Sequence, residues 1–321
     1  GMPSPTVRDV VDKFPFAADT NATDVGNLTV GRYSGGGNSS KVNGYTAGGW
    51  EKPGYGVTVD KFPFATDTNA TDVGNLTVSR RGNAGQSSKT FGYTSGGYTG
   101  PFQNVIDKFP FASDGNTTSV GSVVVGYQSC IGASSPTHGY VMGGDTPSPS
   151  SETNDIQKFP FATDTNASDA ADLSRVNKGG SGISSENNGY HVGGSDQGSA
   201  IYSFIDRFPF ASDVNATGIG SLQEAAKFGA GVSGDYDGYI AGFNAVSGNV
   251  TRILKFNFEN FNNDSTTVGD ISEARSSASG LSSTTHGYVA GGSAPSSSDT
   301  IDKFPYTIDN GVATDVGNLA E

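Results

Sequence analysis

A single cysteine, Cys130, is all the thiol chemistry the chain has. One thiol closes no disulfide within the chain and builds no multi-thiolate metal site, so its expected role is that of a small apolar filler. Basic residues are scarce: 19 Lys and Arg stand against 32 Asp and Glu, a formal charge of -13, and no basic cluster exceeds the pair Arg80 and Arg81. A nucleic-acid partner needs a basic face to neutralise phosphates, so none is expected. The same charge makes anionic membrane surfaces poor partners. No apolar run approaches the roughly 18 residues of a spanning helix, so no membrane insertion is expected. The opening residues Gly1-Met2-Pro3-Ser4-Pro5 lack the charged and then apolar pattern of a secretory signal. Only three histidines are present, His138, His191 and His286, in three different parts of the chain, so a histidine metal centre is not expected. No Gly-x-Ser-x-Gly elbow of a hydrolase follows a strand into a helix.

Glycine, by contrast, is abundant, with 47 residues. Each glycine inside a helix costs about 1 kcal/mol relative to alanine, which excludes long helices and favours short strands joined by tight turns.

Two motifs alternate along the whole length. Val11-Asp12-Lys13-Phe14-Pro15-Phe16-Ala17 returns with its first Phe at 62, 109, 159, 208, 256 and 304. Gly-Tyr-x-x-Gly-Gly, or a close variant, returns with its Tyr at 45, 93, 140, 190, 239 and 288. The period is therefore about 48 residues, and a repeat of that length must be read before any local structure.

Each period divides into four strands: a Ser-rich stretch ahead of Gly44, the segment around Tyr45 closed by Gly48-Gly49, residues 11–16, and residues 25–30. Pro15 cannot donate to a ladder, so the third strand should end or bulge there. Between the third and fourth strands, Asp19-Thr20-Asn21-Ala22-Thr23-Asp24 has the composition of a turn bonded to its own backbone. Its oxygen spacing, repeated at Asp67, Asn69 and Asp72, is partly that of a calcium loop. The glycine and bidentate glutamate of such a loop are absent, so an ordinary turn is expected and no cofactor. Four strands in about 48 residues make one propeller blade.

The pattern resembles the kelch repeat over nearly the whole chain. The residues that carry the resemblance are Tyr45, Gly48 and Gly49 with their copies, and Arg32, Arg80, Arg175 and Arg275 at the basic position. The outer-strand Trp usual in kelch blades is replaced by Val25-Gly26 and its copies. The repeat phrase is also similar to that of repeat proteins of marine phages and bacteria, which implies a virion-associated or extracellular setting. The resemblance implies one all-β domain over residues 1–321, a six-bladed β-propeller of four-stranded blades, with seven blades, one incomplete, as the alternative. Six Gly-Tyr hairpins stand against seven Phe-Pro-Phe hairpins. The outer hairpins 8–30 and 300–320 should then compete to close the ring, and a surplus hairpin with an open edge offers a route to self-association.

Turns within hairpins barely change between repeats, whereas the links 50–58, 98–105, 145–155, 195–204, 244–252 and 293–300 differ in length and character. Recognition is expected on the face that carries the variable links. Trp50, Tyr55, Tyr98, Phe102 and Tyr202 lie there and suit stacking against a sugar or a peptide, while a competing reading has them capping blade edges. The expected function is a non-enzymatic binding or structural module, a phage virion or surface protein with a carbohydrate or protein ligand. The alternative is an enzyme resembling kelch-type sugar epimerases or oxidases, which would need ionisable groups from several blades to meet in one pocket.

Overall fold

The computed structural model describes residues 7–148, 152–197, 200–259, 264–294 and 296–320, and among these every regular element is a strand. The strands form seven sheets. Residues 149–151, 198, 199 and 295, inside the variable links, lie outside the described residues.

Six sheets follow the four-strand repeat in chain order. In the second of them Ala84–Ser87, Phe91–Ser95, Val105–Pro110 and Thr118–Ser122 lie side by side, with Tyr93 opposite both Gln86 and Lys108. The third strand does end at its proline. The irregularity falls earlier, between Ile106 and Asp107, where the fourth strand carries one extra residue, Val120.

Glycine precedes the motif tyrosine for a steric reason: a Cβ built on Gly92 would fall inside the ring of Phe109 on the adjacent strand. The closing pair Gly96 and Gly97 takes φ of 65° and 109°, and a Cβ on Gly97 would press on the Arg80 side chain. Only glycine adopts that backbone without strain.

The seventh sheet is built differently. Arg8–Lys13 and Thr23–Tyr33, the first Phe-Pro-Phe hairpin, are extended by Trp50–Glu51 and Gly54–Tyr55, two short strands from a link of the first blade. The expectation of six blades therefore gives way to its seven-blade alternative, one sheet lacking a Gly-Tyr hairpin. The terminal hairpins do not share a place, because 300–320 pairs with His286–Ala290 while 8–30 belongs to the seventh sheet.

The chain forms two compact units, residues 1–12 with 24–170 and residues 13–23 with 171–321. The same latch recurs inside both. In the first unit the amides of Ala70, Thr117 and Ala167 donate to the carbonyls of Asn27, Asn75 and Ser122 on the preceding hairpin, at 2.8 to 2.9 Å. Asn69, Asn116 and Asn166 each accept through Oδ1 from the amides of Asn27, Asn75 and Ser122 at 3.0 Å. Lys61 and Lys108 reach Asp114 and Asp164 at 2.5 and 2.8 Å. Tyr45 stacks on Phe111 and Tyr93 on Phe161, with ring centroids 5.0 and 4.8 Å apart.

In the second unit the amides of Ala216, Ser265 and Ala313 donate to Asp172, Ser221 and Asp270. Gly311–Val312 even adds a parallel fifth strand to the fifth blade. There the N-terminal segment takes the part of a further repeat. Phe16 stacks on Tyr288 at 4.7 Å, Ala22 donates to the Asn318 carbonyl at 2.9 Å, and Asp19 meets Lys303 at 2.7 Å. The Asp-Thr-Asn turn is thus a connector between neighbouring hairpins, its oxygens engaged by lysine and by backbone amides.

The basic position needs one correction. Arg80 and Arg275 pair with Asp107 and Asp302 at 2.8 and 2.7 Å with no solvent exposure of either partner, and Arg32 pairs with Asp60 in the same way. Arg175 does not join them. The equivalent place, four residues after the outer-strand leucine Leu173, is held by buried Asn177, whose Nδ2 donates to the Gly193 carbonyl.

Candidate binding site

Four of the five aromatic residues singled out in the sequence come together in the first unit. Tyr33, at the end of Thr23–Tyr33, stands opposite Trp50, which in turn stands opposite Tyr55. Isolated bridges pair Arg81 with Tyr98 and Tyr98 with Phe102. This pairing sets the rings in a continuous row. Trp50 meets Tyr55 edge to face at 5.1 Å, Tyr55 meets Tyr98 at 6.0 Å, and Tyr98 meets Phe102 at 5.3 Å. Tyr33 extends the row at 6.5 Å from Trp50.

The guanidinium of Arg81 lies 5.4 Å from the Trp50 ring centroid and 5.9 Å from that of Tyr55, and its Nη1 donates to the Tyr33 hydroxyl at 3.3 Å. Cation–π placement of this kind holds the charge over the rings, and a guanidinium carries further N–H donors beyond the one that Tyr33 accepts. All six side chains are half-buried, so each ring is anchored on one side and open on another. Beneath them Glu51 accepts from the Thr58 hydroxyl and faces Arg32 at 2.9 Å; burial raises its carboxyl above the usual range, against the pull of Arg32.

Tyr202 is not part of this row. It belongs to the second unit, where it packs on Phe204 at 5.5 Å beneath Arg175 at 5.8 Å and donates to Asp196 at 2.7 Å. Sequence reasoning missed Tyr33 and Arg81. Their signal was position: each directly follows a buried arginine, Tyr33 after Arg32 at the end of an outer strand and Arg81 after Arg80 in an isolated bridge.

The second unit carries a groove of its own, of about 460 Å³, lined by Asp235, Tyr236, Asp237, His286 and Tyr306. Tyr236 is 72% exposed there. Partial burial lowers the His286 imidazole, aided by Lys303 and opposed by Asp19. This groove lies among the turns within hairpins, which are expected to vary little, yet Gly234-Asp235-Tyr236-Asp237 stands where the first blade has Ser40-Lys41-Val42-Asn43.

The three histidines serve local structure. His138 and His286 hydrogen-bond the preceding threonine hydroxyls at 2.9 and 2.8 Å. His191 is fully buried, and desolvation alone pushes its imidazole down to about 4. Among the described residues no group of three or more His, Cys, Asp or Glu is placed to hold a metal ion. Cys130 packs against the core of Tyr93, Ile106, Val123 and Tyr127.

No family model matches the chain, and no curated protein does. Among solved structures it is similar to the one titled "Structure of YjhT", with a TM-score of 0.69 and 13% identity over 89% of this chain and 98% of that one. The fold is a β-propeller. Identity so low speaks for the architecture alone, and a propeller is a frame on which binding surfaces and reaction sites of many kinds are built.

Proposed function

We propose that this propeller is a non-enzymatic, kelch-like binding module that holds a neutral carbohydrate against the row formed by Trp50, Tyr55, Tyr98 and Phe102. The observation that carries the reading is the row itself: rings from two variable links and one strand end, half-open, with Arg81 laid across two of them. The apolar faces of a sugar ring stack on such surfaces, and the free donors of Arg81 suit hydroxyl oxygens. The chain's charge of -13 opposes acidic glycans. The buried carboxylates Asp60, Asp107 and Asp302 are committed to guanidinium partners, which further supports recognition over proton-transfer chemistry. The setting we propose, a virion or cell surface, rests on the likeness of the repeat phrase to those of phage and bacterial repeat proteins.

A glycan array probed with the purified protein tests the reading. Selective retention of neutral glycans, lost on Trp50→Ala and on Tyr98→Ala, is the expected result. Retention unchanged in both variants, or no glycan retained at all, overturns it.

A further inference from the structure

In the first unit Tyr45 and Tyr93 share one kind of destination, the Phe-Pro-Phe segment of the next repeat. Tyr45 lies between Phe109 and Phe111, at 5.3 and 5.0 Å, and Tyr93 between Phe159 and Phe161, at 5.4 and 4.8 Å. Each hydroxyl donates to the carbonyl of the second phenylalanine, Tyr45 to Phe111 and Tyr93 to Phe161. The first blade offers the same socket, Phe62 and Phe64, yet among the described residues the ring contact of this pair is with each other only, at 6.3 Å.

The consequence shows in exposure. Phe109 and Phe159 are 2% exposed, whereas Phe62 is only half-buried and Phe64 is 48% exposed. A cleft of about 330 Å³ opens beside Phe62, lined by Val10, Val11, Leu28 and Thr46 among others. Val10 and Val11 belong to a third-type strand that stands at the end of its sheet, whereas its counterparts Thr58–Pro63 and Val105–Pro110 stand between a Gly-Tyr strand and an outer strand. Among the described residues, apolar side chains and an aromatic pair are therefore left open at the place where, in the other sheets, a Gly-Tyr hairpin is seated.

We propose that this cleft is an acceptor for one β-hairpin of the Gly-Tyr type, supplied from outside residues 1–321. Its tyrosine stacks on Phe64 and donates to the Phe64 carbonyl, and its second strand lies along Val10 and Val11. The choice of occupant follows from continuity: within this unit the same surfaces are filled twice by such a hairpin, with the same ring distances and the same hydroxyl acceptor. Strand addition of this kind draws affinity from backbone bonding and specificity from side-chain pockets. The inference stands on the Phe62 and Phe64 socket and is independent of the carbohydrate reading, so failure of one leaves the other intact.

The test titrates a labelled synthetic peptide copying residues 34–49, followed by anisotropy, into the purified full chain. Saturable binding is expected. It should weaken about tenfold or more when the peptide's tyrosine is replaced by alanine, and likewise in Phe64→Ala, a half-exposed position whose truncation leaves the fold in place. Val246→Ala, at a residue 83% exposed that belongs neither to the aromatic pair nor to the lining of the cleft, should bind the peptide as the parent does. Absence of saturable binding up to the solubility limit, or binding indifferent to Phe64→Ala, overturns the proposal. So does a concentration-dependent dimer in sedimentation that Phe64→Ala abolishes, because a second copy would then be the occupant.

Discussion

Arg80 donates to Asp107 at 2.8 Å, and neither side chain retains any exposure to solvent. The fifth blade solves the same position without charge. There Ala226 and Leu254 occupy the corresponding places and share one apolar cluster. The molecule thus contains both answers to one packing problem, which makes the ion pair testable against an internal control. Arg80→Ala strands a buried carboxylate and should cost about 3–5 kcal/mol. Arg80→Ala combined with Asp107→Leu removes the stranded charge and should recover most of that loss. Urea unfolding of the parent and both variants measures it, and a double variant no more stable than the single one refutes the argument.

A second prediction concerns acid. His191 is held neutral by burial, its pKa lowered from 6.5 to about 4. The unfolded chain therefore binds a proton between these values that the folded chain refuses, so stability falls as pH drops from about 6.5 towards 4. The full effect approaches about 3 kcal/mol at the acid end. Val141 and Val289 occupy the same position in other blades, so His191→Val fits the site. Asp206 lies opposite His191 in the ladder, and its carboxyl is raised by burial, an effect that slopes the other way. The difference between parent and variant unfolding curves across pH 4–7 isolates the histidine. A difference that does not change with pH would sink the idea.

A third follows from the contact of Phe16 with Tyr288. The tyrosine stacks on Phe16 and donates to its carbonyl at 3.1 Å, so it seats residues 13–23 on the sixth blade. Tyr288→Phe should cost about 1 kcal/mol, and Tyr288→Ala about 3–5 kcal/mol. Hydrogen exchange at the Ala22 amide, bonded to Asn318, should accelerate in the alanine variant. The Ala70 amide, which makes the equivalent bond in the other unit, should keep its protection. Equal protection of Ala22 in parent and variant would show that the tyrosine is not the anchor.

Strand identity was legible because Phe-Pro-Phe and Gly-Tyr mark the third and second strands by sterics alone, as the Gly92 and Phe109 contact shows. Sheet number was not. It depends on Phe16 finding Tyr288, 272 residues away, and no local pattern encodes which of two similar hairpins a tyrosine will accept. The basic position was misassigned at Arg175 because the nearest arginine in the string lies two residues before the buried place that Asn177 fills. Trp50, Tyr55, Tyr98 and Phe102 were found as variable-link aromatics. Tyr202 shared that description but not that location, since link membership says nothing about which unit a residue enters. Tyr33 and Arg81 escaped notice because positions directly after buried arginines read as scaffold.

The last prediction addresses why glycine precedes the motif tyrosine in all six copies. At Gly92 the Phe109 ring lies across the backbone, so any Cβ must displace it. That ring is also the one Tyr45 packs against, at 5.3 Å, so it has nowhere to go. Gly92→Ala should therefore destabilise by about 1–3 kcal/mol through overpacking, more than glycine-to-alanine relief of chain entropy returns. Phe109→Leu alone should lose part of the stacking with Tyr45 and cost about 1–2 kcal/mol. In combination the smaller side chain makes room for the new methyl, so the two losses should fall short of adding by about 1 kcal/mol or more. Equilibrium unfolding of the four proteins of this cycle gives the coupling directly. Strict additivity would mean that the glycine is required by its backbone rather than by the ring above it, and since Gly92 lies outside the positive-φ region that outcome would leave the motif without a steric cause.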